Sequence, residues 1–193
     1  MMNPSTNTQT TISTHPEALT GSTPSGWQID PAHAHLCFEV DHLGLTKTPG
    51  FFRSFETTLH LDDENIEASR VAIVIDAASV DTGFELRDES LRGPEWFDVK
   101  THAKLTFEST SVQRVGANQY LILGDLNVRG NTAPVSFHTT LTNRAFNPWL
   151  NSHAIGFVGF ARVNRSSFGM AGYPLAISDV IELKISVEAL KKI

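Results

Sequence analysis

The chain has 193 residues, 40% hydrophobic and 19% charged, which suits one soluble globular domain with a sizeable core and excludes a disordered protein. Twenty-one acids against fifteen bases leave a net charge of −6, which argues against an electrostatic grip on nucleic acid or anionic lipid. The single cysteine, Cys37, excludes an internal disulfide and a thiolate zinc site, and twelve Phe against two Tyr point to apolar walls without polar tips.

Residues 1–25 are dominated by Thr, Ser, Asn, Gln and Pro, with neither a basic n-region nor an apolar h-region. They read as a disordered polar leader rather than a signal peptide, and predict a cytoplasmic address. Residues 26–193 form the domain, and no apolar run in it reaches the ~20 residues of a membrane-spanning helix. From there the apolar pattern has a period of two, the mark of half-buried strands. Leu36, Phe38, Val40 and His42 share one face of the first strand, opposite Cys37, Glu39 and Asp41. Phe55, Leu59 and Leu61 follow, then Val71, Ile73 and Ile75 beyond a polar turn at 62–65. A charged helix is predicted from Gly83 to Arg92, stopped by Gly93-Pro94. Strands resume with Ala103, Leu105 and Phe107; Tyr120, Ile122, Leu126 and Val128; and Val135, Phe137 and Leu141. The last two carry Ile155, Phe157, Ala161 and Val163, then Ile181, Leu183, Ile185 and Val187. Short strands in even succession predict an all-β fold, an eight-stranded antiparallel barrel with one short helical segment.

Some residue groups invite catalytic or metal readings. His33-Ala-His35-Leu-Cys-Phe-Glu39 has the H-x-H-x₃-E spacing of a cupin metal site, in which ligands two apart on a strand project toward one ion. A metal-dependent enzyme using His33, His35 and Glu39 is therefore the alternative reading. Against it, Pro134-Val-Ser-Phe-His138 lacks the glycine of the cupin's second half, and Glu39 falls on the face opposite Phe38. No G-x-S-x-G elbow surrounds Ser166-Ser167, and Gly124 to Gly130 has no phosphate-loop fingerprint. Cys37 lies mid-strand with no base beside it and reads as packing. Arg87, Asp88 and Glu89 read as a helix-surface charge run with an ion pair, and Arg165 as a turn arginine capping carbonyls or pairing with an acid.

Several strings in order carry a family likeness. They are Trp27-Gln-Ile-Asp30 with His33, Phe38-Glu-Val-Asp-His42-Leu-Gly44, Phe52-Arg-Ser-Phe55, and Ile75-Asp76 with Ser79-Val-Asp81-Thr82. Arg87-Asp88-Glu-Ser-Leu91, Trp96-Phe97-Asp98, Gly124-Asp-Leu-Asn-Val-Arg-Gly130-Asn-Thr132 with Pro134-Val135, and Asn164-Arg165-Ser-Ser-Phe168-Gly169 complete the set. Together they resemble the YceI-like family over nearly all of residues 26–193. The resemblance implies a lipocalin-like barrel whose apolar interior holds a polyprenyl quinone or related amphiphile. It implies a binder or carrier rather than an enzyme, with no cofactor beyond the bound lipid, and a homodimer. Many members carry a cleavable signal and are periplasmic, whereas the polar leader departs from that pattern. Ala34-His35 also departs from the small polar pair expected after the family's histidine, so no role passes to His35.

A small barrel is either filled by its own side chains or left open for one ligand, and the pattern alone leaves both possible. The inward candidates are Phe38, Val40, Phe55, Leu59, Phe107, Phe137 and Phe157. His42 and Arg53 share the alternation faces of Phe38 and Phe55 and are the candidates for meeting a polar head group, against readings as a rim histidine and a solvated arginine.

Overall fold

The computed structural model describes residues 26–191; the leader expected over residues 1–25 lies outside the described residues. The chain forms β1 (Trp27–Ile29), β2 (His35–His42), β3 (Thr46–Phe52), β4 (Phe55–His60), β5 (Arg70–Asp76) and β6 (Val80–Asp81). After α1 (Glu85–Arg92) come β7 (Lys104–Arg114), β8 (Gln119–Val128), β9 (Asn131–Asn147), β10 (Ser152–Asn164) and β11 (Ile177–Lys191). They make one curled antiparallel sheet in the order β4-β5-β7-β8-β9-β10-β11-β2-β3-β6, with β1 also pairing β11. The lipocalin-like barrel expected from the sequence is thus present.

Each of the eight expected strands is there, and alternate burial is clearest in β7 and β9. In β7, Leu105, Phe107 and Ser109 are buried while Lys104, Thr106 and Glu108 are exposed. In β9, Val135, Phe137, Thr139 and Leu141 are buried between exposed Ser136, His138 and Thr140. The period-two pattern in these strands is therefore a direct record of one wall facing the barrel interior.

Among the described residues three further strands raise the count from eight to eleven. β1 and β6 have three and two residues, too few for an alternation to show. β3 holds Pro49 and Gly50, which ordinarily argue against a strand. Pro49 is tolerated because β3 meets a second neighbour only at Phe51 and Phe52, where β6 pairs with it. Gly50 lies opposite Phe38 in the β2–β3 ladder, and the Phe38 ring rests on the space a side chain would fill.

The helix is shorter at its start than the sequence suggests. Gly83 takes φ +75 and Phe84 is extended, so the first helical residue is Glu85. It ends at Gly93, whose N–H bonds the Ser90 carbonyl at 2.9 Å. Arg129 and Gly130 both have positive φ, 53 and 74, and turn β8 into β9 as a two-residue hairpin loop of the type whose twist matches the strands.

The core divides along the barrel. Trp27, Leu61, Val112, Tyr120, Leu141, Ile155 and Ala189 come from β1 and from strand ends that meet at one end, and pack with Ile66 as a continuous plug. The larger cluster, with Trp96, Phe107, Phe137, Phe168 and Met170, follows the walls toward the opposite end. There α1, the β2–β3 turn and the segment 170–177 gather.

Candidate ligand cavity

Between the two clusters lies a cavity of about 700 Å³. Its floor is Leu61, Ile66, Val112 and Tyr120 of the plug, and its walls include Val71, Ile73, Leu126, Leu183 and Ile185. At the far end it reaches Thr82, Phe84, Leu86, Arg87, Tyr173 and Ala176. Mid-strand residues such as Phe38, Val71, Ile73, Leu183 and Ile185 face inward yet are only half-buried, because their inner surfaces border this space. The barrel is open inside, which settles the choice the alternation left undecided.

Eight of the sequence candidates line this cavity: Phe38, Val40, His42, Phe55, Leu59, Phe107, Phe137 and Phe157. Phe107 and Phe137 meet edge to face, with ring centroids 5.4 Å apart, and Phe38 lies against Phe52 at 5.7 Å. His42 is exposed at the mouth, where β2 ends.

Arg53 is a correction, since it lies outside the cavity. Its Nε donates to Asp81 Oδ2 at 2.8 Å and its guanidinium sits 4.5 Å from the centre of the Phe51 ring. β3 stops at Phe52 and β4 starts at Phe55, so the alternation counted back from Phe55 does not run through Arg53. With His35 and Phe51, Arg53 borders a separate depression of about 500 Å³ on the seam between these strands.

The charged strings also settle into place. Asp88 is buried rather than part of a surface pair: its Oδ1 accepts from the Thr82 N–H at 2.9 Å and the Thr82 hydroxyl at 2.5 Å. Arg87 donates from Nε to Thr82 Oγ1 at 2.7 Å and from Nη2 to the Thr82 carbonyl at 3.0 Å. Thr82 thus joins helix α1 to the strand before it. Arg165 caps carbonyls, as one of its two readings holds. It is 3% exposed and donates to the carbonyls of Met170, Ile177 and Ser178, with its guanidinium 5.5 Å from the centre of the Trp96 ring. Trp96 in turn stacks on Tyr173, centroids 6.1 Å apart and 9° from parallel. The buried arginine therefore fixes the segment that forms one side of the mouth.

The metal alternative loses its geometry. His33 closes a 3-10 turn over Pro31–His33 instead of standing on a strand two residues before His35. Its Nδ1 lies 2.8 Å from Asp30 Oδ2 and 3.9 Å from Glu188 Oε2, and neither His35 nor Glu39 joins this group. Asp30 also accepts from the Ala32 N–H at 2.9 Å, so it serves as the cap of the turn. The hydrogen bond that His33 donates to Asp30, helped by Glu188, raises the His33 pKa above its ordinary value, and the same bond lowers that of Asp30. Burial pushes the Cys37 thiol up, in keeping with a packing role.

Apart from His42, sequence reasoning missed the mouth. Tyr173, Ala176 and Thr82 lie on loops without periodicity, and only their nearness to the family-like strings at 165–169 and 79–82 could have drawn attention to them.

The YceI-like domain model matches residues 27–189. A UPF0312 protein of Ectopseudomonas mendocina is 32% identical over 160 residues, 83% of each chain. Among solved structures, Burkholderia cenocepacia BcnA superposes with a TM-score of 0.76 at 22% identity, covering 83% of this chain and 99% of that one. A polyisoprenoid binding domain from Saccharophagus degradans, implicated in plant cell wall breakdown, does so with a TM-score of 0.65 at 14% identity, covering 86% and 98%. With the family model spanning almost the whole described barrel, its open interior included, this chain belongs to the YceI-like family.

Proposed function

We propose that this protein binds a long-chain isoprenoid, a polyprenyl quinone or similar amphiphile, inside the barrel, and sequesters or carries it without chemical turnover. The observation that carries this reading is the apolar cavity of about 700 Å³, closed at one end and open at the other. Such a volume lies within the ~300–1,000 Å³ of ordinary small-molecule sites. The polyisoprenoid binding domain that shares the fold supports the same ligand class.

The energetics suffice without a charge pair. Each buried methylene is worth ~0.8 kcal/mol, so one five-carbon isoprene unit contributes roughly 3–4 kcal/mol gross. Ordering the chain offsets much of this; at ~0.3 kcal/mol per heavy atom a tail of roughly forty atoms still reaches about −12 kcal/mol, nanomolar affinity.

Native mass spectrometry of the purified protein, followed by solvent extraction, tests the proposal. A long-chain lipid at near one per chain is expected, and bound iron, manganese or nickel without lipid would overturn it. Phe137→Asp should abolish uptake of a polyprenyl quinone. Because that variant puts a carboxylate in the core, Leu183→Trp, which narrows the cavity with an apolar ring, is measured beside it. Normal uptake by a folded Leu183→Trp protein contradicts the cavity assignment.

A further inference from the structure

The cavity opens among apolar side chains that water should not favour. Leu43 and Leu45 on the β2–β3 turn, Phe84 and Leu86 at the start of α1, and Tyr173 and Leu175 on the segment before β11 are all exposed. The three segments are neighbours: the Leu43 N–H bonds the Ala176 carbonyl at 2.9 Å, and Phe84, Leu86, Tyr173 and Ala176 all border the cavity. Leu45 is 76% and Leu175 94% exposed, values at which each side chain gains almost nothing from its own fold.

Charges near this rim are largely taken up within the molecule. Glu85 pairs with Arg92 at 2.8 Å, Lys47 pairs with Glu182, and Arg87 is turned onto Thr82. Among the described residues no basic cluster faces outward here to seek anionic head groups, and the net charge of −6 opposes such a surface. An apolar rim with balanced charge fits a neutral, zwitterionic lipid interface.

We infer that the mouth is a membrane-docking surface: the six rim side chains enter the interface of a zwitterionic bilayer, making an apolar path from lipid to cavity. This rests on the proposed binding of an isoprenoid, whose chain would otherwise cross water to enter. A second group of exposed apolar residues, Trp149 and Leu150 on the β9–β10 turn, borders no part of the cavity and serves as the control.

The test is flotation of the full-length protein with phosphatidylcholine vesicles. Wild type should float, with a bound fraction little changed between about 50 and 500 mM salt. Leu45→Glu combined with Leu175→Glu should lower partitioning about tenfold or more, while Trp149→Glu with Leu150→Glu leaves it unchanged. Both pairs are exposed, so thermal melts should match wild type. Wild type remaining in the aqueous phase, equal flotation of the mouth variant, or loss only in the Trp149 variant overturns the inference. Uptake of a detergent-solubilised polyprenyl quinone is measured in parallel. Uptake without flotation overturns docking and leaves the cavity reading intact, whereas flotation without uptake overturns the cavity reading alone.

Discussion

The contact between Phe38 and Gly50 makes a quantitative claim about how the cavity wall is built. A methyl group at position 50 would stand 2.2 Å from Cζ of Phe38 and 2.6 and 2.7 Å from the two Cε atoms. Ordinary contact begins near 3.4 Å, so in Gly50→Ala the ring must retreat by more than about 1 Å, toward the cavity and away from its 5.7 Å contact with Phe52. Crowding of this kind costs ~1–3 kcal/mol, part of it the ~0.5–1.5 kcal/mol of the ring pair. In a Phe38→Ala background the obstacle is gone, and alanine should be neutral or stabilise by up to ~0.5–1 kcal/mol relative to glycine in a strand. Urea unfolding of wild type, both single variants and the double variant should therefore give a coupling of at least ~1 kcal/mol, with unchanged m values. Additivity within ~0.5 kcal/mol would refute the argument, showing that Gly50 is present for another reason.

Two other outcomes follow from the polar contacts. Arg165→Met leaves three carbonyls without their donor and should cost at least ~3 kcal/mol in denaturant unfolding. It should also speed amide exchange at Ala176 and Ile177, and unchanged exchange there would show that the arginine does not hold the mouth. For His33, the raised pKa means that its stabilisation is complete below the ordinary ~6.5 and is lost as pH rises through the folded value. The lowered pKa of Asp30 means that its share is complete above ~3.9 and is lost as pH falls through its own folded value, so the pair acts in the window between. An NMR titration should place His33 above ~6.5 and bring it back toward that value in Asp30→Asn; an ordinary titration in wild type refutes the pairing.

What the sequence made legible follows from periodicity. Leu105 and Phe107, or Val135 and Phe137, declare a wall because every second residue is buried. β3 was hidden by Pro49 and Gly50, and the glycine is there to receive a ring from another strand, a tertiary cause that no local pattern carries. Arg53 escapes the alternation because two residues without strand geometry interrupt the count between Phe52 and Phe55. Asp88 sits in a charge run of the kind that is usually solvated on a short helix; its partner Thr82 lies before the helix, and a buried hydrogen bond across that gap leaves no repeat in the sequence. Whether the interior was filled or empty depended on how far the sheet curls, which side-chain alternation does not encode.

The plug formed by Trp27, Ile155, Ala189 and their neighbours turns the cavity into a ruler. Under the proposed isoprenoid binding, a chain entering tail-first from the mouth would add contacts with each isoprene unit until its end met Leu61, Val112 and Tyr120, and further units would stay outside. Affinity should climb with chain length and then level off at the depth of the barrel. Under the same proposal the head group would stay at the rim, the first part of the molecule that a recipient would meet.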